Sequence, residues 1–176
     1  MKRALIIGTA LISLVAIQAL AQCKKTHFFC TNVLDEDQQK EFWNLNNQSQ
    51  SANFKKGEVY KMSFIAYKGF DYRISVCTDI EEGGDKIRFE LAHDAVVRVK
   101  DEYGNTNIKR QRESLYKNND DNLAQYLIFT VEKTEKFYLD VNIPASGESS
   151  DKKLAKTDNV CVGVLLEHKK VEKFGF

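Results

Sequence analysis

Between residues 59 and 168 apolar side chains recur at every second position, in runs broken by turn residues. Tyr60, Met62, Phe64 and Ala66 alternate with Val59, Lys61, Ser63 and Ile65. Tyr72, Ile74 and Val76 form the next run, then Ile87, Phe89 and Leu91, then Phe137, Leu139, Val141 and Ile143, and last Val160, Val162, Val164 and Leu166. A period of two places each run on one face of a β-strand. Residues 95–100 and 126–132 are rich in β-branched and aromatic side chains and extend the strand count. Lys68-Gly69-Phe70-Asp71, Glu81-Glu82-Gly83-Gly84-Asp85, Tyr103-Gly104-Asn105 and residues 118–122 carry turn chemistry. Residues 106–116 are weakly patterned, and 144–158 is polar without periodicity and reads as a long loop. The total is about eight strands that do not alternate with helices, which excludes a parallel α/β sheet. The pattern predicts an all-β fold, an antiparallel β-sandwich of jelly-roll-like layout with one short N-terminal helix.

That helix is expected over about residues 36–46. Leu34, Gln38, Phe42 and Leu45 keep helical spacing, and Asp35 with Gln38 resembles a capping box. Three segments follow: a leader over 22–52 that contains the helix, a sandwich over 53–176, and residues 1–21 ahead of both. In 1–21, Lys2 and Arg3 precede an apolar stretch that ends in Ala19-Leu20-Ala21, the small-x-small pattern of a signal peptidase site. The chain is therefore expected to be exported, to the periplasm, the cell surface or the medium, with no transmembrane segment once the signal is removed. Leu20-Ala21-Gln22-Cys23 occupies the position of a lipobox, but Gln22 stands where a small residue belongs, which argues against a lipoprotein.

All four cysteines, Cys23, Cys30, Cys77 and Cys161, follow the signal, and an even count in an exported chain predicts disulfides. Cys23 and Cys30 are close enough in sequence to close a local loop. Cys77 and Cys161 sit on the face opposite the apolar one in their strands. Their matched facing favours Cys23–Cys30 with Cys77–Cys161. The alternative is that the N-terminal cysteines tie the leader onto the sheets. No CxxC pair suggests zinc.

Lys and Arg number 26 against 25 Asp and Glu, so there is no basic surplus of the kind a nucleic-acid binder needs. The three histidines, His27, His93 and His168, form no metal-binding or catalytic spacing motif, and no GxSxG elbow occurs. A small hydrolase would have to assemble distant residues such as His93, Asp94 and His168 in a deep pocket. Asp79, Glu81 and Asp85 place oxygen ligands at alternate positions around Gly83, and residues 118–122 are all oxygen-bearing. Structural calcium is the one cofactor these loops could hold, although neither matches an EF-hand. Tyr67, Phe70 and Tyr72 surround a turn, and Trp43 is the only tryptophan; exposed rings of this kind could stack on a sugar.

The string Phe64-Ile65-Ala66-Tyr67-Lys68-Gly69-Phe70-Asp71-Tyr72-Arg73-Ile74-Ser75-Val76-Cys77, with Ile87-Arg88-Phe89-Glu90-Leu91 and Cys161-Val162-Gly163-Val164-Leu165-Leu166-Glu167-His168, resembles a group of uncharacterised exported proteins of Gram-negative bacteria. More loosely, the order of Lys-Gly turn, strand, Gly turn and strand is similar to β-sandwiches of the pre-peptidase C-terminal type, which implies a noncatalytic accessory module. The expectation is a nonenzymatic secreted or periplasmic protein that binds an envelope protein partner or supports an envelope assembly. The 171–176 tail is one candidate contact. The alternative is a carbohydrate-binding module that presents its aromatic turn to a glycan.

Overall fold

The computed structural model describes residues 22–78, 87–144 and 159–171. Two antiparallel sheets face each other. The strands in chain order are β1 (Asn44–Leu45), β2 (Gln50–Lys55), β3 (Val59–Ala66), β4 (Phe70–Thr78), β5 (Arg88–Lys100), β6 (Thr106–Lys117), β7 (Tyr126–Thr130), β8 (Glu135–Asn142) and β9 (Asn159–Lys170). In the first sheet β9 pairs with β4, β4 with β7, and both β1 and β2 lie along the other side of β9. The second sheet has the order β3-β8-β5-β6. The chain changes sheet at most connections, and the all-β sandwich is as the alternation predicted.

The period-two residues meet between the sheets. Tyr72, Ile74 and Val76 of β4 and Val160, Val162, Val164 and Leu166 of β9 face Phe64, Phe89, Leu91, Phe137, Leu139 and Val141. Each fully buried side chain of this size contributes about 1.5–3 kcal/mol of transfer free energy. Three strands were not expected: β1, which falls at the end of the expected helix, and β2 and β6. β2 runs across the anticipated boundary at 52–53 and pairs with β9 along its whole length. β6 occupies the weakly patterned 106–116 stretch, because nearly all of it is exposed on both faces and nothing selects apolar alternation there.

The leader departs further from expectation. Gln22–Val33 is a 3₁₀ helix, and the α-helix, α1, covers only Glu36–Lys40. No residue of α1 is buried, and Asp35 makes no capping bond. Its carboxylate instead accepts a hydrogen bond from the Tyr126 hydroxyl at 2.8 Å. Without an apolar face to bury, so short a helix has no support. The chain becomes extended at Glu41 and delivers Trp43 and β1 to the edge of β9.

Candidate functional site

On β4 and β9 the residues facing away from the core are Arg73, Ser75 and Cys77, with Cys161, Gly163, Leu165 and Glu167. An outward face of a two-layer sandwich ordinarily meets water, yet Arg73, Ser75, Cys77, Leu165 and Glu167 are all buried. The leader covers them. Disulfides Cys23–Cys161 and Cys30–Cys77 fasten it to β9 and β4, with Cα–Cα separations of 5.1 and 5.0 Å. The favoured pairing of Cys23–Cys30 with Cys77–Cys161 is thus corrected. Cys77 lies opposite Gly163, not Cys161, so the two strand cysteines are offset along neighbouring strands and each turns to the leader above. The alternative, leader cysteines tying it to the sheet, is what the structure contains.

Gly163 is where the leader comes closest. A Cβ there would lie 2.5 Å from the Cα and N of His27, within backbone that cannot step aside. The His27 amide donates to Ser51 Oγ at 2.8 Å, and His27 Nδ1 lies 2.6 Å from the same oxygen. Burial lowers the His27 pKa from its ordinary 6.5. Further along, Arg73 donates to Glu167 at 2.8 Å and to the Gln38 carbonyl at 2.7 Å. The Arg73 guanidinium also stacks over the Trp43 ring, whose other near cation is Lys169. Lys169 and the Trp43 Nε1–H converge on the Glu41 carboxylate, which is held below its ordinary pKa chiefly by its hydrogen bond from Lys169.

This packing disposes of most of the aromatic platform. Trp43 is buried beneath cations, and Tyr72 is a core residue whose hydroxyl accepts the Tyr67 amide at 3.0 Å. Phe70 packs partly against the core and edge-on to His168, and Tyr67 alone of the four is exposed. No flat, exposed pair of these rings faces solvent. Asp79, Glu81 and Asp85, the residues proposed for calcium, lie outside the described residues, as do the expected signal at 1–21, the expected 144–158 loop beyond Pro144 and the expected 171–176 tail beyond Val171. In the second acidic loop Asn118 is wholly buried. Its side chain accepts the Phe89 amide and donates to the Ile87 and Ala124 carbonyls, so it closes the β6–β7 connection and is not turned out as a ligand.

The distant residues of the hydrolase reading are not brought together. His93 stacks on Phe137 and lies 3.2 Å from Glu135 and 3.7 Å from Glu113. Asp94 is on the opposite face of the same strand and accepts from the Tyr138 hydroxyl. His168 belongs to the other sheet, against Phe70 and Tyr72. A hollow of about 490 Å³ is lined by residues such as Lys61, Arg88, Glu90, Lys117 and Asp140, with no His, Cys or Ser among them. Among the described residues no three His, Cys, Asp or Glu side chains gather as a metal site, and no helix is long and apolar enough to cross a membrane.

What does stand out is a projection. β5 pairs with β8 only as far as His93, whereas its pairing with β6 continues to Lys100. Beyond His93 the two strands form a ribbon with no third strand among the described residues. Its tip is tightly built. Gly104 (φ +81°) returns its amide to the Asp101 carbonyl at 3.0 Å, and Asp101 and Asn105 close the turn. The Asp101 carboxylate accepts the amides of Tyr103 and Asn105 and the side-chain amides of Asn105 and Asn107. These donors, the Asn105 amide foremost, hold its pKa below the ordinary carboxylate value. At the tip Tyr103 is 82% exposed, and on the ribbon Val96 and Ile108 are 62% and 71% exposed. A long strand edge and a hairpin with a hydrogen-bonded turn and an exposed Tyr103 at its tip are features that sequence reading missed. The exposed Tyr103-Gly104-Asn105 turn was their one visible trace.

No family model and no curated protein matches the chain. Among solved structures it is similar to PliG of Aeromonas hydrophila, a periplasmic lysozyme inhibitor of g-type lysozyme. The identity is 9%, with 69% of this chain and 84% of that chain covered and a TM-score of 0.39. The resemblance to pre-peptidase C-terminal domains gains no match. At this level the likeness identifies neither a family nor an activity.

Proposed function

We propose that this is a noncatalytic exported protein that binds a protein partner through the β5–β6 hairpin. The observation that carries the reading is the ribbon itself. It is longer than the sandwich needs, exposes Tyr103, Val96 and Ile108, and is kept rigid at its tip by the bonds to Asp101. Isolated apolar residues on a surface need no explanation, but several on one preorganised projection suit an interface, where rigid aromatic anchors bind at low entropic cost. The cross-linked leader supports export, since two disulfides of this kind persist in an oxidising compartment. Lipid attachment at Cys23 is disfavoured for the same reason: its sulfur is joined to Cys161.

The test places a photo-crosslinking phenylalanine analogue at Tyr103 in the full exported chain, and a control at Phe42, exposed on the leader. Irradiation of intact cells is expected to give one discrete protein adduct from position 103 that is absent from position 42. No adduct from the tip, or the same adducts from both positions, would overturn the reading.

A further inference from the structure

The two faces of the ribbon differ, and the difference specifies the partner. Alternate residues share a face, and the register places Val96 opposite Arg110, Arg98 opposite Ile108, and Lys100 opposite Thr106. On this face each exposed apolar side chain is paired across the strands with a cation. Nearer the sandwich the same face is electrically satisfied: Arg112 donates to Asp140 at 2.8 Å and Asp94 accepts from Tyr138. Arg98, Lys100 and Arg110 make no ion pair with any described residue. The other face carries Ala95, Val97 and Val99 opposite Gln111, Lys109 and Asn107, with Lys109 its one cation there.

We infer that the Val96–Arg98–Lys100–Ile108–Arg110 face is a docking surface for an acidic protein groove, one whose carboxylates meet the three unpaired cations while its apolar floor receives Val96 and Ile108. The inference rests on the hairpin reading and adds the partner's chemistry. Charge complementarity argues for it: three cations set on one face of paired strands, with no ion pair to a described residue, favour carboxylates placed to match. Asp101 and Glu102 at the tip oppose an anionic membrane or a polyanionic strand, which would present negative charge across the whole projection. A protein groove can meet the cationic flank and touch Tyr103 with its rim, while the Asp101 carboxylate stays satisfied by its own turn.

The probe is the Tyr103 photo-adduct, its yield measured in permeabilised envelope at rising NaCl and in charge variants of the full chain. Between about 50 and 500 mM salt, the yield is expected to fall at least tenfold if exposed cations guide docking. Reversal of Arg98, Lys100 and Arg110 to Glu should lower it by more than tenfold, and neutral Ser variants at the same positions by less; Lys109→Glu on the opposite face should leave it within about twofold. The peptide joined to position 103, mapped by mass spectrometry, is expected to adjoin clustered Asp and Glu. Unchanged melting and intact disulfides establish that each variant folds. A persistent adduct that ignores salt and the reversals overturns the acidic-groove inference and leaves the hairpin reading standing. Equal loss from Lys109→Glu also overturns it. Adducts to lipid or glycan in place of protein overturn both, as does the absence of any adduct from the native chain.

Discussion

Gly163 shows how one residue can decide whether the leader docks. Its missing Cβ makes room for the backbone at Thr26 and His27, and the two flanking disulfides prevent the leader from shifting away. Gly163→Ala is expected to destabilise by about 1–3 kcal/mol, the usual cost of overpacking, as read from chemical denaturation. An unchanged midpoint would mean that the leader does not press on β9. Arg73 and Glu167 form a buried pair with side chains 3% and 11% exposed. Arg73→Leu strands the Glu167 carboxylate under the leader and should cost about 3–5 kcal/mol, most of it recovered when Glu167→Leu is added. Recovery failing in the double variant would place the loss in packing against Trp43. His27 has a lowered pKa, so the unfolded chain takes up this proton at higher pH than the folded one. Its contribution is therefore present above the ordinary 6.5 and is lost as pH falls from that value through the lower folded-state pKa. Denaturation midpoints should drop between about pH 7.5 and 5.5, and less in His27→Gln; identical slopes would remove His27 from the account.

At the scale of elements, the leader is a third layer over half of the sandwich. It contributes little helix and no alternation, and its stability comes from what it covers. The Cys30–Cys77 bridge spans 47 residues and fixes this layer at its inner end. Replacing both cysteines by Ala is expected to cost about 2–5 kcal/mol. The amides of residues 26–33 should then exchange faster with solvent, while those of β8, at the centre of the other sheet, stay protected. Uniform loss of protection would instead make the leader part of a single cooperative unit with both sheets. The expected helix over 36–46 failed on this account. Periodicity recorded Leu34, Gln38, Phe42 and Leu45 as one face, but of these only Leu34, ahead of the helix, is buried, and Phe42 and Leu45 end 82% and 48% exposed.

For the whole molecule, the sandwich and the ribbon are separable. Core residues from β3, β4, β5, β8 and β9 close around one another, and nothing beyond His93 on β5 contributes to that closure. Excising residues 96–110 and joining Ala95 to Gln111 through an Asn-Gly turn is expected to leave the melting temperature within a few degrees, since two-residue turns of this type suit paired strands. It should abolish the photo-adduct from a probe placed at the new turn. Loss of cooperative unfolding would show that the ribbon is structural. The ribbon was only partly visible beforehand: residues 95–100 read as a strand, but its partner β6 lacks any buried face and so leaves no alternation to detect.

The sequence by itself determined the strand runs, their inward faces and the placing of Cys77 and Cys161 away from the core, because each depends on a period-two rule that acts within one strand. Tyr72, Ile74, Val76 and the even positions from Val160 to Leu166 point inward as the alternation required. Tertiary structure alone decided the disulfide partners, the burial of Trp43 and the projection of the hairpin. Each of these depends on which strand lies beside which and by how many residues they are offset. Cys77 meets Cys30 because its neighbour on β9 is Gly163, and Gly163 admits the leader that carries Cys30. Such a relation couples residues far apart along the chain, and local pattern contains no term for it.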